Sequence, residues 1–524
     1  IVAGQTIEGN SFNVQEMSRK GASSNAENLW YLSAGYTGDY TRETEYRWTA
    51  LGYLSRLNYS FADKYLIQAN FRADASSKFS PANRWGYFPS VSLGWKFSSE
   101  SFMQGADWLS LGKLRVGWGQ LGNNRIGEYA QYTLLNNMYN YSYGAGNHVL
   151  YPGKTSTTLG NPNIRWEKTE STNIGLDLNF FNNRLSTSIE YFDKITSDML
   201  LRVPVVPSAG LVDAPMINAG SVRNSGIEVQ LNYKEKINKM KFELGFNVSY
   251  IKNTVLSLGS GNEPVWGAYL EENSILDYVT KTEVGRSIGC FYGYVTDGIF
   301  NTTEEIQQSA QNDGLTFPGD FRFKDLNEDG RITAADRTYL GSPHPDFVFG
   351  IPVSISYANF DLNLFFQGQT GNKIFNVMEY YLNSAHGTGN VYADIRTKHW
   401  AGTYRADRTF FPENLSGSVP DLDGADLPRN FRASDFYIKD GSYLRLKNIQ
   451  LNYNVSQNVC KALKLDQLTV YVGAYNLLTF TKYNGFDPEV GRNVGSETNN
   501  LYMGVDHGNY PQARTITAGI KVGL

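Results

Sequence analysis

The amino-acid sequence predicts an all-β protein, and more specifically a transmembrane antiparallel β-barrel with long extracellular loops. Three observations lead to this fold class. Apolar and polar residues alternate along many segments of the 524-residue chain. The connections between these segments are alternately short and long, as in outer-membrane barrels. No apolar run approaches the ~18 residues of a membrane-spanning helix.

The alternation itself identifies the strands. In segment 173–180, Ile174 and Leu176 fall on one face, whereas Asn173 and Asp177 fall on the other. Many such segments exceed ten residues, which suits a tilted crossing of the bilayer by a strand of ~9–11 residues. The same pattern predicts fourteen strands, with approximate ranges 1–10, 46–60, 64–75, 88–98, 111–121, 166–181, 184–199, 222–235, 240–256, 346–357, 360–373, 440–455, 467–480 and 513–524.

The connections decide between a barrel and a soluble β-sandwich, because a sandwich has no reason to place every long loop at one end. The short connections are 61–63, 182–183, 236–239, 358–359 and 456–466, and 99–110 falls on the same side. The long ones are 76–87, 122–165, 200–221, 257–345, 374–439 and 481–512. We therefore expect the short turns at the periplasmic end and the long loops outside the cell.

Composition excludes several other classes of protein. Aromatic residues make up 14% and charged residues 19%, which excludes a disordered chain. The net charge of −4 and the lack of a basic stripe argue against nucleic-acid binding. Two cysteines cannot build a disulfide framework, and we expect Cys290 and Cys460 to be separate thiols. The five histidines are scattered, and no nucleophile elbow or P-loop is present, so we do not expect an enzyme.

One loop motif predicts a bound metal ion. The segment Asp325–Asp336 reads DLNEDGRITAAD and places oxygen donors at the spacing of a calcium-binding loop. Gly330 allows the sharp turn, and Arg331 offers its backbone carbonyl. The expected ligands are Asp325, Asn327, Asp329, Arg331, Thr333 and Asp336. The alternative is a loop rich in Asx turns that holds no ion.

Longer segments carry a family pattern. They are Arg72–Phe79, Asn83–Trp95, Lys113–Asn123, Trp166–Gly175, Asn218–Glu228, Gly293–Phe300, Pro318–Asp325, Asp440–Asn448 and Tyr510–Arg514. In these segments, and in their order along the chain, the sequence resembles the SusC/RagA family of TonB-dependent outer-membrane transporters.

The family resemblance implies a barrel size, a function and partners that the strand pattern alone does not predict. It implies a plugged barrel of about 22 strands, a size class of outer-membrane transporters. Residues 1–524 then correspond to the C-terminal ~14 strands, with the plug and the N-terminal domain absent from this chain. The resemblance implies an active importer of oligosaccharides or peptides in a Bacteroidetes-type outer membrane, contacting its lipid. Its partners would be TonB, acting through the missing N-terminal region, and a SusD-like surface lipoprotein that forms a lid. A dimer of transporter–lid pairs would follow by analogy.

Two other functions remain open from the residues. A self-contained barrel of fourteen strands would be a passive porin, and a secreted carbohydrate-binding or hydrolytic β protein would be soluble without detergent. Aromatic residues in the long loops are the candidate substrate contacts, because their rings stack on sugars or on peptide side chains. The alternative is that they pack the loops together. The candidates are Tyr139, Tyr141, Trp266, Tyr269, Trp400 and Tyr404.

Overall fold

The computed structural model describes most of the chain. The described residues are 1–22, 35–136, 141–143, 149–151, 153–202, 215–259, 261–272, 275–383, 390–404, 410–421, 430–491 and 499–523.

Fourteen long strands form one sheet in which the strands follow the order of the chain. They confirm the predicted set. We number them β1 (Val2–Ala22), β2 (Gly35–Phe61), β3 (Tyr65–Ser76), β4 (Trp85–Trp95), β5 (Leu109–Asn123), β6 (Glu167–Phe180), β7 (Leu185–Ser197), β8 (Ser221–Ile237), β9 (Met240–Ser257), β10 (Phe347–Tyr357), β11 (Phe360–Thr370), β12 (Tyr443–Asn454), β13 (Gln467–Thr481) and β14 (Thr515–Gly523).

The first two strands are longer than the sequence predicts. The prediction ended the first strand at residue 10 and began the second at 46, whereas β1 and β2 pair from Val2 with Arg56 to Ala22 with Gly35. The added part contains little apolar alternation, because an exposed hairpin is held by its backbone ladder and by polar pairs. Asn13 Nδ2, for example, donates to Glu43 Oε1 at 2.9 Å.

The short turns have the backbone conformation that tight hairpins need. Ala62 and Asp63 between β2 and β3 have φ of 51° and 55°, and Asn182 and Asn183 between β6 and β7 have φ of 56° and 63°. Left-handed residues at consecutive turn positions match the twist of the flanking strands. The predicted short connections are therefore confirmed as tight turns at these two places.

Chain contacts divide the protein into two compact units, each of which we describe by itself. The first comprises Ile1–Trp95, Arg115–Asn173 and Lys194–Ser221. Its small core contains Phe79, Phe88, Ile126, Ile164 and Trp166. Trp166 packs 5.2 Å from Phe79 and 5.4 Å from Phe88 between ring centroids, which links a long connection to β4.

The strands of the first unit have their apolar side chains outside. On β3, Tyr65, Ile67 and Phe71 are exposed. The other face of β3 carries Asn70, which accepts a hydrogen bond from Arg56 at 2.7 Å. A soluble sandwich buries the apolar face of its strands, so this inside-out arrangement argues against the secreted alternative and fits a lipid environment.

The second unit comprises Lys96–Leu114, Ile174–Asp193 and Val222–Leu524. Strands β9 to β14 pair in antiparallel order within it. Val470 and Val472 on β13 are exposed, as are Ile516 and Ile520 on β14, so the inside-out pattern recurs here. Cys290 and Cys460 are buried free thiols, as expected.

Shorter elements occupy the connections. The strands there are Leu134–Asn136, Tyr141–Tyr143, Val149–Tyr151, Thr155–Thr158, Leu200–Arg202, Met216–Asn218, Val265–Glu272, Ile275–Thr282, Cys290–Gly293, Thr296–Ile299, Phe321–Phe323, Thr338–Gly341, Lys373–Asn376, Ala401–Tyr404, Phe410–Asn414, Ile438–Asp440 and Val505–Asp506. The α-helices are α1 (Thr303–Gln307), α2 (Met378–Leu382), α3 (Ile395–Lys398) and α4 (Gln457–Ala462). Single 3₁₀ turns lie at Phe97–Ser99, Ser101–Met103, Ala334–Asp336, Asp435–Tyr437 and Asn499–Tyr502. Among the described residues, no helix has the length and apolar character needed to cross a membrane.

Candidate functional site

Three long connections of the second unit fold together around a hydrophobic core. We call this cluster the long-loop core; its buried members are Ala268, Leu270, Val279, Phe291, Phe375, Val377, Tyr380, Phe431, Ala433, Tyr437 and Val505. Polar contacts join the same connections, since Thr280 Oγ1 donates to the Leu501 carbonyl at 2.8 Å. A packed core fixes the backbone of loops, so the side chains that they display are held in place.

A four-stranded sheet covers the long-loop core and displays a group of aromatic rings. The strands are Val265–Glu272, Ile275–Thr282, Cys290–Gly293 and Thr338–Gly341. We call the group the aromatic face; its members are Trp266, Tyr269, Tyr278, Tyr292 and Tyr339. Tyr269 and Tyr278 are a cross-strand pair with centroids 4.8 Å apart. Trp266 lies 5.6 Å from Tyr292, which in turn lies 5.2 Å from Tyr339.

The aromatic face includes both exposed rings and cations held between rings. Trp266 and Tyr278 are each 41% exposed. Lys281 Nζ lies 4.6 Å from the Tyr292 centroid and 5.5 Å from that of Trp266. The Arg337 guanidinium lies 5.2 Å from the Tyr292 ring. Cation–π contacts of this kind stabilise partly desolvated charges.

Acidic groups neutralise these cations. Arg337 Nη1 donates to Asp277 Oδ1 at 2.9 Å, and Lys281 pairs with Glu283 at 3.5 Å. The hydroxyl of Tyr339 donates to Glu283. That hydrogen bond lowers the pKa of Glu283, while burial and the same bond raise the pKa of Tyr339. Because Arg337 and Lys281 are paired with acidic side chains, the part of the aromatic face that a ligand can contact is the exposed surface of Trp266 and Tyr278.

The predicted metal loop, Asp325–Asp336, winds tightly on itself. Asp325 Oδ2 accepts from the Gly330 N–H at 2.8 Å, and Asp329 Oδ1 accepts from the Arg331 N–H at 2.9 Å. Asn327 Nδ2 donates to Asp329 Oδ2 at 2.9 Å. Gly330 has φ of +79°, a conformation that favours glycine, at the position where the motif requires a turn.

The last residue of the loop is its buried anchor. Asp336 is 0% exposed, and its carboxylate accepts from the N–H groups of Leu326 at 2.9 Å and Thr333 at 2.7 Å. Burial by itself raises the pKa of Asp336, but these backbone donors outweigh it and hold the pKa below its usual value. The Asp325 carboxyl lies within hydrogen-bonding reach of Asp336, so the two ends of the loop meet.

The chemical type of the predicted ligands suits a hard cation, but the carboxylates among them are not all gathered around one point. Every predicted ligand is an oxygen, as calcium prefers. However, no group of three or more His, Cys, Asp or Glu side chains in the described part of the chain is gathered closely enough to hold a metal ion. Thr333 Oγ1 accepts from the Ala335 N–H at 3.2 Å and so serves the 3₁₀ turn. The calcium assignment therefore stays a prediction.

The second half of this loop borders a cavity of about 470 Å³. Arg331 and Arg432 both line it. No local sequence pattern indicates this cavity, because Arg432 is about a hundred residues from the loop. Likewise, the prediction missed three members of the aromatic face, Tyr278, Tyr292 and Tyr339, since nothing in their local sequence separates them from the other tyrosines of the chain.

The remaining aromatic candidates are not brought to one place. Tyr141 is exposed and lies 6.1 Å from Tyr151 in the first unit. Tyr139 lies outside the described residues, and only the backbone of Tyr404 is described, in the strand Ala401–Tyr404. Among the predicted residues whose side chains the structure describes, Trp266 and Tyr269 are the two that lie together.

Trp400 was predicted to contact substrate, but its side chain is buried in the structure. Its side chain is 1% exposed, and its Nε1 donates to Asn301 Oδ1 at 2.9 Å. The ring lies so close over Gly319 that a Cβ added to this glycine would be 2.7 Å from it. Trp400 therefore packs loops together, which was the alternative for these aromatic residues.

Comparisons with known proteins agree on one family. The family described as TonB dependent receptor-like, beta-barrel, matches residues 4–477. The TonB-dependent receptor P3 of Formosa agariphila is 32% identical over 489 residues, which are 92% of this chain and 46% of that protein. The TonB-dependent receptor SusC of Bacteroides thetaiotaomicron is 29% identical over 487 residues, which are 90% of this chain and 44% of that protein.

Solved structures share the fold. A structure described as the RagAB peptide transporter superimposes with a TM-score of 0.79 at 25% identity, covering 99% of this chain and 52% of that chain. The chain spans about half the length of the curated relatives it matches.

Proposed function

This chain belongs to the TonB-dependent receptor-like β-barrel family and is of the SusC/RagA type, and on that basis we propose that it works in an outer-membrane active importer of oligosaccharides or peptides. The protein is located in the outer membrane. In this proposal residues 1–524 are the C-terminal part of the barrel, and the plug lies in a segment outside them. TonB supplies the energy through that other segment.

The aromatic face is the observation that carries the proposal. Capture of an oligomer needs exposed rings on a surface that does not rearrange, because ordering a mobile loop costs binding free energy. Trp266 and Tyr278 are exposed, and the long-loop core fixes the sheet that displays them. A SusD-like lipoprotein that closes over the long loops then confines the substrate against this face, and pairs of transporter and lid form the dimer.

The mechanism is physical rather than chemical. The sequence contains no P-loop, so the proposal assigns no nucleotide hydrolysis to this chain. Substrate first binds between lid and long loops. A pull on the plug then opens the lumen, and the polar inner face of the strands, with groups such as Asn70 and Glu170, provides a hydrated path.

We test the aromatic face in the full-length transporter. Trp266→Ala combined with Tyr278→Ala should lower the affinity for the imported oligomer about tenfold or more, since each stacked ring contributes about 0.5–1.5 kcal/mol beyond its buried area. The matched control is Trp108→Ala, because Trp108 is exposed at a short connection. Equal affinity of the double variant and the control would reject the face as the capture surface.

Calcium is the proposed cofactor, and its role is structural. The ligands would be the side chains of Asp325, Asn327, Asp329, Thr333 and Asp336 and the Arg331 carbonyl. Support comes from the oxygen-only donor set, the left-handed Gly330 and the proximity of Asp325 to Asp336 at the two ends of the loop. The ion would brace the connection between β9 and β10.

A further inference from the structure

We propose that the cavity beside the Asp325–Asp336 loop binds the free carboxylate of a short peptide. This inference rests on the proposed importer function and names a second contact for its substrate. The cavity measures about 470 Å³ and is lined by residues 310–313, Thr316, residues 330–333 and Arg432. That volume is in the range of pockets that hold small molecules or a few residues of a larger one.

Two aromatic neighbours hold the Arg432 guanidinium in a position where it can bind an anion. The guanidinium lies 5.4 Å from the centroid of Tyr294 and 5.8 Å from that of Phe323. The two rings are themselves 5.4 Å apart and belong to a small buried cluster, so they hold the guanidinium in position. A cation–π contact uses no carboxylate partner, so the N–H groups of the guanidinium stay available for hydrogen bonds to an anion.

Arg331 supplies the second positive charge. Its backbone is fixed by the bond from its N–H to Asp329. The residue borders the cavity, and its side chain is exposed. Neither the Arg331 nor the Arg432 guanidinium forms an ion pair or hydrogen bond with another residue that the structure describes. Each planar guanidinium can donate two parallel hydrogen bonds, which matches the planar geometry of a carboxylate.

The acidic member of the lining does not cancel these charges directly. Asp313 Oδ1 accepts from the Leu315 N–H at 3.0 Å and from Thr316 Oγ1 at 3.1 Å, so it closes its own turn. Three of the four carboxylates of the neighbouring loop, those of Asp325, Asp329 and Asp336, are bonded to that loop's backbone. The fourth, Glu328, is not among the residues that line the cavity. The guanidinium groups therefore remain the charged groups open to a ligand.

The lining favours a peptide over a saccharide. None of the described residues that line the cavity is aromatic, so a sugar ring finds no stacking partner there. Amide and hydroxyl side chains such as Asn312 and Thr316 instead border it, beside the apolar Ile332. These groups suit a peptide backbone with a small side chain, and the carboxylate end then meets the two arginines.

The test uses full-length transporter purified in detergent and isothermal titration calorimetry. The probes are N-acetyl-trialanine with a free carboxylate, the same peptide as its C-terminal amide, and a trigalacturonate. We expect the acid to bind at least about tenfold more tightly than the amide, because hydrogen bonds to charged groups are the stronger ones. Arg331→Gln and Arg432→Gln should each weaken binding of the acid about tenfold and leave binding of the amide unchanged.

Arg396→Gln is the matched control, because Arg396 is an exposed arginine on α3 and does not line the cavity. If Arg432→Gln folds poorly, the result for Arg331→Gln is decisive, because the exposed Arg331 side chain forms no ion pair or hydrogen bond with a residue that the structure describes. Equal binding of acid and amide, or no effect of Arg331→Gln, would overturn the proposal. Arginine-dependent binding of trigalacturonate without binding of the peptide would overturn it too, in favour of an acidic saccharide.

These outcomes are separate from those of the importer proposal. Binding is measured without TonB or a membrane potential. Failure of carboxylate binding with intact TonB-dependent uptake would reject the cavity assignment alone. Binding without TonB-dependent uptake would reject the importer alone.

Discussion

Arg445 on β12 and Asp487 in the connection 482–514 form a buried ion pair, with Arg445 Nη2 donating to Asp487 Oδ1 at 2.6 Å. Arg445 is 2% exposed, and its other nitrogens bind Glu489 Oε2 at 2.8 Å and Thr479 Oγ1 at 2.9 Å. Asp487 also accepts from the backbone N–H groups of Glu489 and Gln512. The pair therefore fastens both ends of a long connection to the barrel sheet.

Removal of one partner should be costly. Asp487→Asn leaves the Arg445 charge buried with weaker compensation, and breaking such pairs costs of the order of 3–5 kcal/mol. We expect a lower thermal unfolding temperature for the variant. It is measured in detergent from the shift in gel mobility that heating produces. Glu8→Gln, at an exposed position on β1, is the control and should leave the unfolding temperature unchanged. Equal unfolding of Asp487→Asn and wild type would contradict the anchoring role.

The same pair predicts sensitivity to acid. Burial alone would raise the pKa of Asp487, but its backbone donors and Arg445 hold it below the ordinary value. A group with a lowered pKa stabilises the folded state fully above the unfolded pKa of about 3.9. This stabilisation is lost as pH falls from there through the folded pKa. Unfolding temperatures measured between pH 7 and pH 3 should fall more steeply below about pH 4 in wild type than in Asp487→Asn.

Tyr380 and Tyr437 test the long-loop core. Their rings stack 4.1 Å apart, and the Tyr380 hydroxyl donates to the Phe431 carbonyl at 2.6 Å. Tyr380→Phe keeps the stack and removes the bond, which should cost about 1 kcal/mol or somewhat more. Tyr380→Ala also opens a cavity and should cost about 3–5 kcal/mol. Limited proteolysis of the long connections reports the difference, and equal cleavage of the two variants would contradict the packing described.

Calcium should protect the loop that it is proposed to bind. Added Ca²⁺ is expected to raise the unfolding temperature of chelator-treated full-length protein, because a ligand that binds only the folded state stabilises it. Asp329→Ala removes an exposed proposed ligand and should abolish that rise. Glu304→Gln, on α1 outside the loop, should retain it. The same rise in Asp329→Ala, or none in wild type, would contradict the assignment.

Local sequence pattern was enough to predict the strands, but not the long connections. The period-two alternation identified β6, β9 and β14 because one face of each meets lipid and the other does not. The alternation did not predict the polar extension of β1 and β2, because backbone hydrogen bonds between these two strands hold it without an apolar face. The motif at Asp325–Asp336 was visible because its spacing is local.

The candidate surfaces depend on contacts between distant residues. Trp266 and Tyr269 were predicted as aromatic residues in long loops. The same reasoning selected Trp400, which is buried against Asn301 and Gly319. Only tertiary folding distinguishes a displayed ring from a packed one. Arg432 reaches the cavity for the same reason, because Tyr294 and Phe323 place it there.

TonB-coupled uptake is the most direct test of the central claim. Cells that express the full-length transporter are given a fluorescent mixture of oligosaccharides or peptides, and uptake into the periplasm is compared with and without the segment that contacts TonB. We expect deletion of that segment to abolish uptake while binding at the cell surface, measured on the same cells, is retained. Uptake at an undiminished rate would contradict the claim and leave a passive porin as the function of this barrel.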